Sequence, residues 1–435
     1  MDWLLAALAL FNLISMISVF SPRATPRKEV PWATFFTALL ATELAWVWLP
    51  LQVFLTWVFT IGGALDSVVG NLALLLLLCT WPGLVWSIWQ STRAQGILER
   101  SLKRDLGYDY KQKIAPAQRD QLREKVSFGD WKNPFAMKYP GVEVTRNVAY
   151  GPHGVRQQLD IYSPAHIPEG GCPVLLQIHG GAWILGDKGQ QALPLMYMMA
   201  SKGWICVACN YRLSPSVGFP THLTDCKKAL CWIREHGREY GMNPDFVAVT
   251  GGSAGGHLTA LMGLTENRPD LQKEHPDTDT SVQAVVPFYG IYDFLVRYNQ
   301  HPNADLYQKF AKDRIMHESL EENPELWDLG SPVAQIHPEA PPFMVLHGTL
   351  DSLAIVKDGR IFAQKLRETS ENPVVYVEMD GAEHAWETIR SLRTEHTIDA
   401  VHRFLEWARA RQTQPAQSTE EEHTPIANAQ EAHPN

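Results

Sequence analysis

Apolar and polar positions divide this chain into two regions of different character. Residues 3–20 are a predominantly apolar, uncharged run of about 18 residues, near the minimum for a membrane-crossing helix. Residues 32–61 are apolar except for Glu43 and carry Pro50 mid-run. Thirty residues are too few for two crossings, so this stretch predicts one kinked or tilted span, with Glu43 either inside it as a functional candidate or, as the favoured reading, at the interface. Residues 67–90 predict a third span. Beyond residue 92 the pattern changes. Residues 93–140 are charged and helix-like, and predict a connector that folds over the following domain as part of a cap. From residue 142 short apolar runs predict strands at 142–150, 157–162, 173–178, 204–209, 246–250, 282–288, 343–346 and 374–378. The first two flank Gly151-Pro152-His153-Gly154 and read as a hairpin. Helical segments separate most of the later strands. That alternation predicts an α/β domain over 141–411, with a mainly parallel sheet covered on both faces and an antiparallel edge. Residues 292–335, spotted with aromatics, are expected to be an insertion over the site, and the polar stretch 412–435 a disordered tail.

Composition supports a membrane region. Eight of the 15 tryptophans fall in the first ninety residues, among them Trp86 and Trp89 placed like an interfacial belt. A signal peptide would want positive charge at its start, whereas the only early charge is Asp2. Arg23, Arg27 and Lys28 follow the first run, the loop 62–67 has no basic residue, and Arg93, Arg100, Lys103 and Arg104 follow the third. The positive-inside rule then puts the N-terminus outside and everything after residue 92 in the cytoplasm. Five of the six cysteines lie beyond the apolar region in no framework spacing, which fits free thiols in a reducing compartment. Cys206 and Cys209 match C-x-x-C inside a strand-like run, where buried thiols are expected rather than a redox pair or a zinc site. A net charge of −9 without a basic stripe argues against nucleic acid as a partner.

The chemistry centres on Gly251-Gly252-Ser253-Ala254-Gly255-Gly256, between the apolar run 246–250 and a helical segment. A serine between small residues at a strand-to-helix turn fits the G-x-S-x-G nucleophile elbow. An acyl-transfer serine needs a base for its proton and a carboxylate to orient that base. Asp351 follows the strand at 343–346 and His384 follows the strand at 374–378, in the order serine, acid, histidine. Asp380 is a rival acid on the histidine's own turn, and His347 precedes the acid and breaks the order. His179-Gly180-Gly181-Ala182-Trp183 follows the strand at 173–178, so the N–H groups of Gly180 and Gly181, with that of Ala254, are the expected oxyanion donors. Trp183 is expected to wall the pocket, Arg212 and Asp225 to form a structural pair, and His257 to pack against the sheet.

These motifs, with Asn210-Tyr211-Arg212-Leu213-Ser214-Pro215, resemble the hormone-sensitive-lipase-like branch of α/β-hydrolases, bacterial carboxylesterases above all. The resemblance covers about residues 140–410. It implies an eight-stranded, mostly parallel sheet and hydrolysis of carboxylic esters without metal or organic cofactor. Two departures stand out. Many members carry Asp where this chain has Gly252, and a third glycine where it has Ala182. The same triad also supports amide or formamide hydrolysis and acyl transfer, and a non-catalytic membrane scaffold is the reading from another class. Small-molecule or lipid esters are the expected substrates, and the oligomeric state is left open.

Overall fold

β-Branched and aliphatic runs bounded by glycine and proline give eight strands, which are β1 (Val142–Ala149), β2 (Gln158–Pro164), β3 (Cys172–Ile178), β4 (Ile205–Cys209), β5 (Met242–Gly252), β6 (Ala284–Phe288), β7 (Phe343–Gly348) and β8 (Val374–Met379). A computed structural model describes residues 1–20 and 31–413. The expected tail and the charges Arg23, Arg27 and Lys28 lie largely or wholly outside the described residues. The strands make one sheet in the order β1-β2-β4-β3-β5-β6-β7-β8. β1 and β2 form the antiparallel edge, β2 pairs antiparallel with β4, and all other pairings are parallel. The expected hairpin edge and the eight strands are therefore present.

Both faces of the sheet are covered, which explains why its strands are apolar at nearly every position. On one face Val174, Leu176 and Ile178 cluster with Leu223 and Leu230 of the helix Thr221–His236 and with Leu258 and Leu261 of the helix Ala254–Leu264. On the other, Leu175 clusters with Met196 and Phe404, from the helices Leu193–Ser201 and Leu392–Thr413. Cys206 and Cys209, three positions apart on β4, fall into opposite clusters and both are free thiols. A strand's period of two forbids them from meeting.

The apolar N-terminal region forms four helices, α1 (Asp2–Phe20), α2 (Pro31–Glu43), α3 (Ala45–Ile61) and α4 (Val68–Thr92), followed by α5 (Ala94–Leu106). Among the described residues two helices are long and apolar enough to cross a membrane, or three if α2 and α3 count as one span. That pair bends by 92° between Glu43 and Ala45. The break falls at Leu44, not at Pro50, which sits inside α3. Three helices share a buried polar network. Asn12 Nδ2 donates to Thr80 Oγ1 at 2.7 Å, Gln52 Nε2 donates to Asn12 Oδ1 at 3.0 Å, and Trp81 Nε1 donates to Gln52 Oε1 at 2.9 Å. Away from water such bonds tie α1, α3 and α4 together.

The stretch 93–140, expected as a connector that folds over the domain as part of a cap, begins with α5. Its Ile97, Leu98, Leu102 and Leu106 recur at helical spacing and are buried in the cluster of Leu175 and Phe404. α5 is thus one of the helices covering the sheet.

Candidate active site

The chain crosses from β4 to β5 on either side of β3, so the C-terminal ends of β3 and β5 are neighbours at a topological switch point, where open α/β sheets bind ligands. β5 runs directly into Ser253, and the helix Ala254–Leu264 starts behind it. Ser253 has φ +60° and ψ −122°, a conformation disfavoured for any residue with a Cβ. Its amide donates to Phe288 O at 3.0 Å, and its carbonyl accepts from His257 N at 3.0 Å. The turn is therefore held from the neighbouring strand and from its own helix. A strained serine at a strand-to-helix turn is the geometry of a nucleophile elbow.

Asp351 and His384, from the exits of β7 and β8, meet each other. His384 Nδ1 lies 2.8 Å from Asp351 Oδ2, which assigns Nδ1 as the donor and turns Nε2 outward. The other carboxylate oxygen accepts the amides of Leu353 at 2.9 Å and Ala354 at 2.6 Å. Burial works to raise the Asp351 pKa, but His384 and His347 outweigh it and hold the carboxyl well below its usual range. His347 also faces this carboxylate, with Nε2 at 3.4 Å. That nitrogen is 3.0 Å from Ala354 O, and Nδ1 packs toward Gly359 of the helix Val356–Thr369. His347 thus faces the same carboxylate as His384, and His384 is joined to the serine turn through Tyr289. Tyr289 connects the two, its ring 4.4 Å from that of His384 and its hydroxyl filling the space above Gly252. The Tyr289 hydroxyl donates to Glu387, whose carboxyl burial pushes up to about 7.

The loop after β3 approaches from the opposite side. A Cβ on Gly180 would stand 2.6 Å from Gly252 O and 3.1 Å from Ser253 Cβ, so only glycine permits this approach. The Gly180 amide donates to Gln191 Oε1 at 2.6 Å. Gly181, Ala182 and Trp183 have φ of +117°, +52° and +60°, a run that curls the loop so that the Ile184 and Leu185 amides both donate to Gly181 O at 3.0 Å. His179 anchors the loop by stacking on Tyr211 at 4.4 Å, and burial lowers its pKa to about 4. Trp183 is buried against His257 and Phe294, the latter from the stretch expected to be an insertion. His257 Nε2 bonds to Gly330 O at 2.7 Å. Arg212 grips the Asp225 carboxylate with Nε at 2.9 Å and Nη2 at 2.7 Å, a brace beneath the loop.

Tyr289, Gln191 and Glu387 were not expected from the sequence. Tyr289 directly follows β6, so its position at a strand's C-terminal end is the signal that finds it. Gln191 lies in a polar loop and offers none.

The chain is 42% identical over 298 residues to LipM of Mycobacterium tuberculosis, a probable carboxylic ester hydrolase, spanning 65% of this chain and 68% of LipM. This chain belongs to the carboxylic ester hydrolases of the α/β-hydrolase fold. Esterase LipQ of the same organism is 37% identical to this esterase over 323 residues, 73% of the present chain and 75% of LipQ. The BD-FAE family matches residues 159–366 of the esterase, a range that contains Gly180, Gly181, Ser253, Ala254 and Asp351 and ends before His384. Esterase B of Lactobacillus rhamnosis shares the fold, with a TM-score of 0.54 at 19% identity over 72% of this chain and 96% of that one.

Proposed function

We propose that this esterase cleaves carboxylic esters through Ser253, His384 and Asp351 while its N-terminal helices hold it in a membrane. The observation that carries the reading is the Asp351–His384 hydrogen bond at 2.8 Å, in the same sheet whose β5 ends in a serine held in a strained elbow. Ser253 Oγ attacks the ester carbonyl carbon and gives its proton to His384 Nε2. Asp351 holds the imidazole tautomer and stabilises the imidazolium. The C–O bond to the alcohol breaks, and His384 passes its proton to the departing oxygen. Water, deprotonated by the same histidine, then releases the acid and restores the serine. The N–H groups of Gly181 and Ala254 stabilise the oxyanion, whereas the Gly180 amide, also expected as a donor, is engaged by Gln191 Oε1.

Ser253→Ala tests the assignment. It should lower turnover of p-nitrophenyl butyrate by about 10⁴-fold or more and abolish labelling by a fluorophosphonate probe. Wild-type turnover in that variant would overturn it.

For topology, the reading is α1, α3 and α4 as crossings, α2 on the catalytic side, and the catalytic domain in the cytoplasm beside Arg93, Arg100, Lys103 and Arg104. Fluorescent protein fused to the C-terminus of the full chain should fold and alkaline phosphatase should be inactive. The reverse pattern would invert the orientation.

A further inference from the structure

The N-terminal helices reach the catalytic residues themselves. Phe35, on α2, is only 6% exposed, and its ring stands edge-on to that of His384, 6.1 Å between centroids at 75°. Leu350, next to Asp351, packs into the cluster of Met16, Val19, Ala38, Ala45 and Leu84, contributed by α1 to α4. The loops of both the acid and the base therefore rest on this region. Glu43 fixes the arrangement. At the 92° break it pairs with Arg393 and accepts from Ser391 Oγ at 2.6 Å, with the Glu43 and Arg393 side chains both fully buried. Arg393 Nη2 in turn donates to Asp380 O at 3.3 Å, at the start of the turn that carries His384. A tether needs no such contacts. A buried ion pair costs desolvation that only good geometry offsets, so it specifies one placement of α2 against the histidine turn.

We propose that α2 is a wall of the active site, and that the substrate is an ester whose apolar alcohol half lies along that wall and enters from a lipid bilayer. This rests on the triad reading above. The histidine returns its proton to the departing alcohol, so a group against its ring bounds the space the alcohol occupies. Tyr289 is one such group, held by Glu387, and Phe35 is the one that the N-terminal helices supply. The same helix turns Phe36 and Leu40 outward, as α1 and α3 do with Leu10, Phe54 and Trp57, so an apolar exterior leads up to the wall. Phe35 is a specificity residue, and Glu43 and Arg393 are positioning residues.

The test uses the full chain in phosphatidylcholine vesicles with methyl, hexyl and dodecyl butyrate, which vary the alcohol and keep the acyl group constant. Wild type should favour dodecyl over methyl ester, mainly through KM. F35A should shift that preference by at least about fivefold, F35L should lie between F35A and wild type, and F35W should shift it in the opposite direction. E43Q should lower kcat on all three esters alike. An unchanged alcohol-length profile in Phe35 variants that still react with a fluorophosphonate would overturn the wall while leaving the triad reading intact. Loss of labelling in all three Phe35 variants would also overturn it, by making Phe35 a residue the fold requires rather than one that grades substrates. If the wild-type enzyme itself failed to label, the triad reading would fall first and this proposal with it.

Discussion

Tyr289 occupies the space that a side chain at position 252 would need. A Cβ on Gly252 would come within 2.5 Å of the Tyr289 hydroxyl oxygen and 2.8 Å of its ring. This accounts for the glycine where many related esterases carry Asp. The ring that excludes the aspartate also packs on His384 and is held by Glu387, so the two positions form one solution to supporting the histidine. Gly252→Ala should lower kcat/KM by about 10²-fold, and by much less in a Tyr289→Ala background. A double-mutant cycle should therefore return a coupling of about 1–3 kcal/mol. Additive effects would separate the two residues.

Ser253 is held in a backbone conformation that costs an ordinary residue about 1–3 kcal/mol. Ser253→Gly should therefore raise the melting temperature while removing activity. A melting temperature equal to or below that of wild type would show that the elbow stores no strain.

Ala182 carries a Cβ at φ +52°, where many relatives use glycine. Ala182→Gly should relieve about 1 kcal/mol and leave the loop's path intact. Thermal unfolding of the two proteins side by side measures this, and destabilisation by the glycine would count against the strain argument.

Asp358 gives a dependence on pH. Burial pushes its carboxyl up to about 7, the Tyr292 amide opposes this and Asp293 adds to it. In the unfolded chain the group titrates near its ordinary value of about 3.9. Between about pH 4 and pH 7 the folded state holds a proton that the unfolded state has lost, so stability falls as pH rises through that window. Glu383 and Glu387, each pushed up to about 7 by burial, act in the same direction. Asp358→Asn should flatten the decline by about one proton's worth, read from melting temperatures at pH 4.5 and pH 7. A parallel decline in the variant would place the proton elsewhere.

Much of the candidate site was legible because its residues follow strands at the sheet's C-terminal edge. Ser253, Asp351 and His384 each sit where an apolar run ends, and chain order alone separated His384 from His347. What order did not reveal is that His347 also faces Asp351, because a second histidine at 3.4 Å is a matter of packing rather than pattern. Gln191 was invisible for the same reason. Local pattern also misplaced the bend in the second apolar run, pointing to Pro50 when the break follows Glu43. The lone carboxylate decides it, since its partner Arg393 lies 350 residues away and no window on the sequence joins them. Glu43 was at least conspicuous as the single charge in an apolar stretch.

That long-range pair bears on how the enzyme is to be handled. Removing the first 92 residues to obtain a water-soluble fragment would strip Arg393 of its counter-ion Glu43 and of helices that cover it. It would also uncover Leu350 and the surface under the histidine turn. A preparation made that way would resemble a lock with its frame sawn off, so the useful reagent is the whole chain in detergent or nanodiscs.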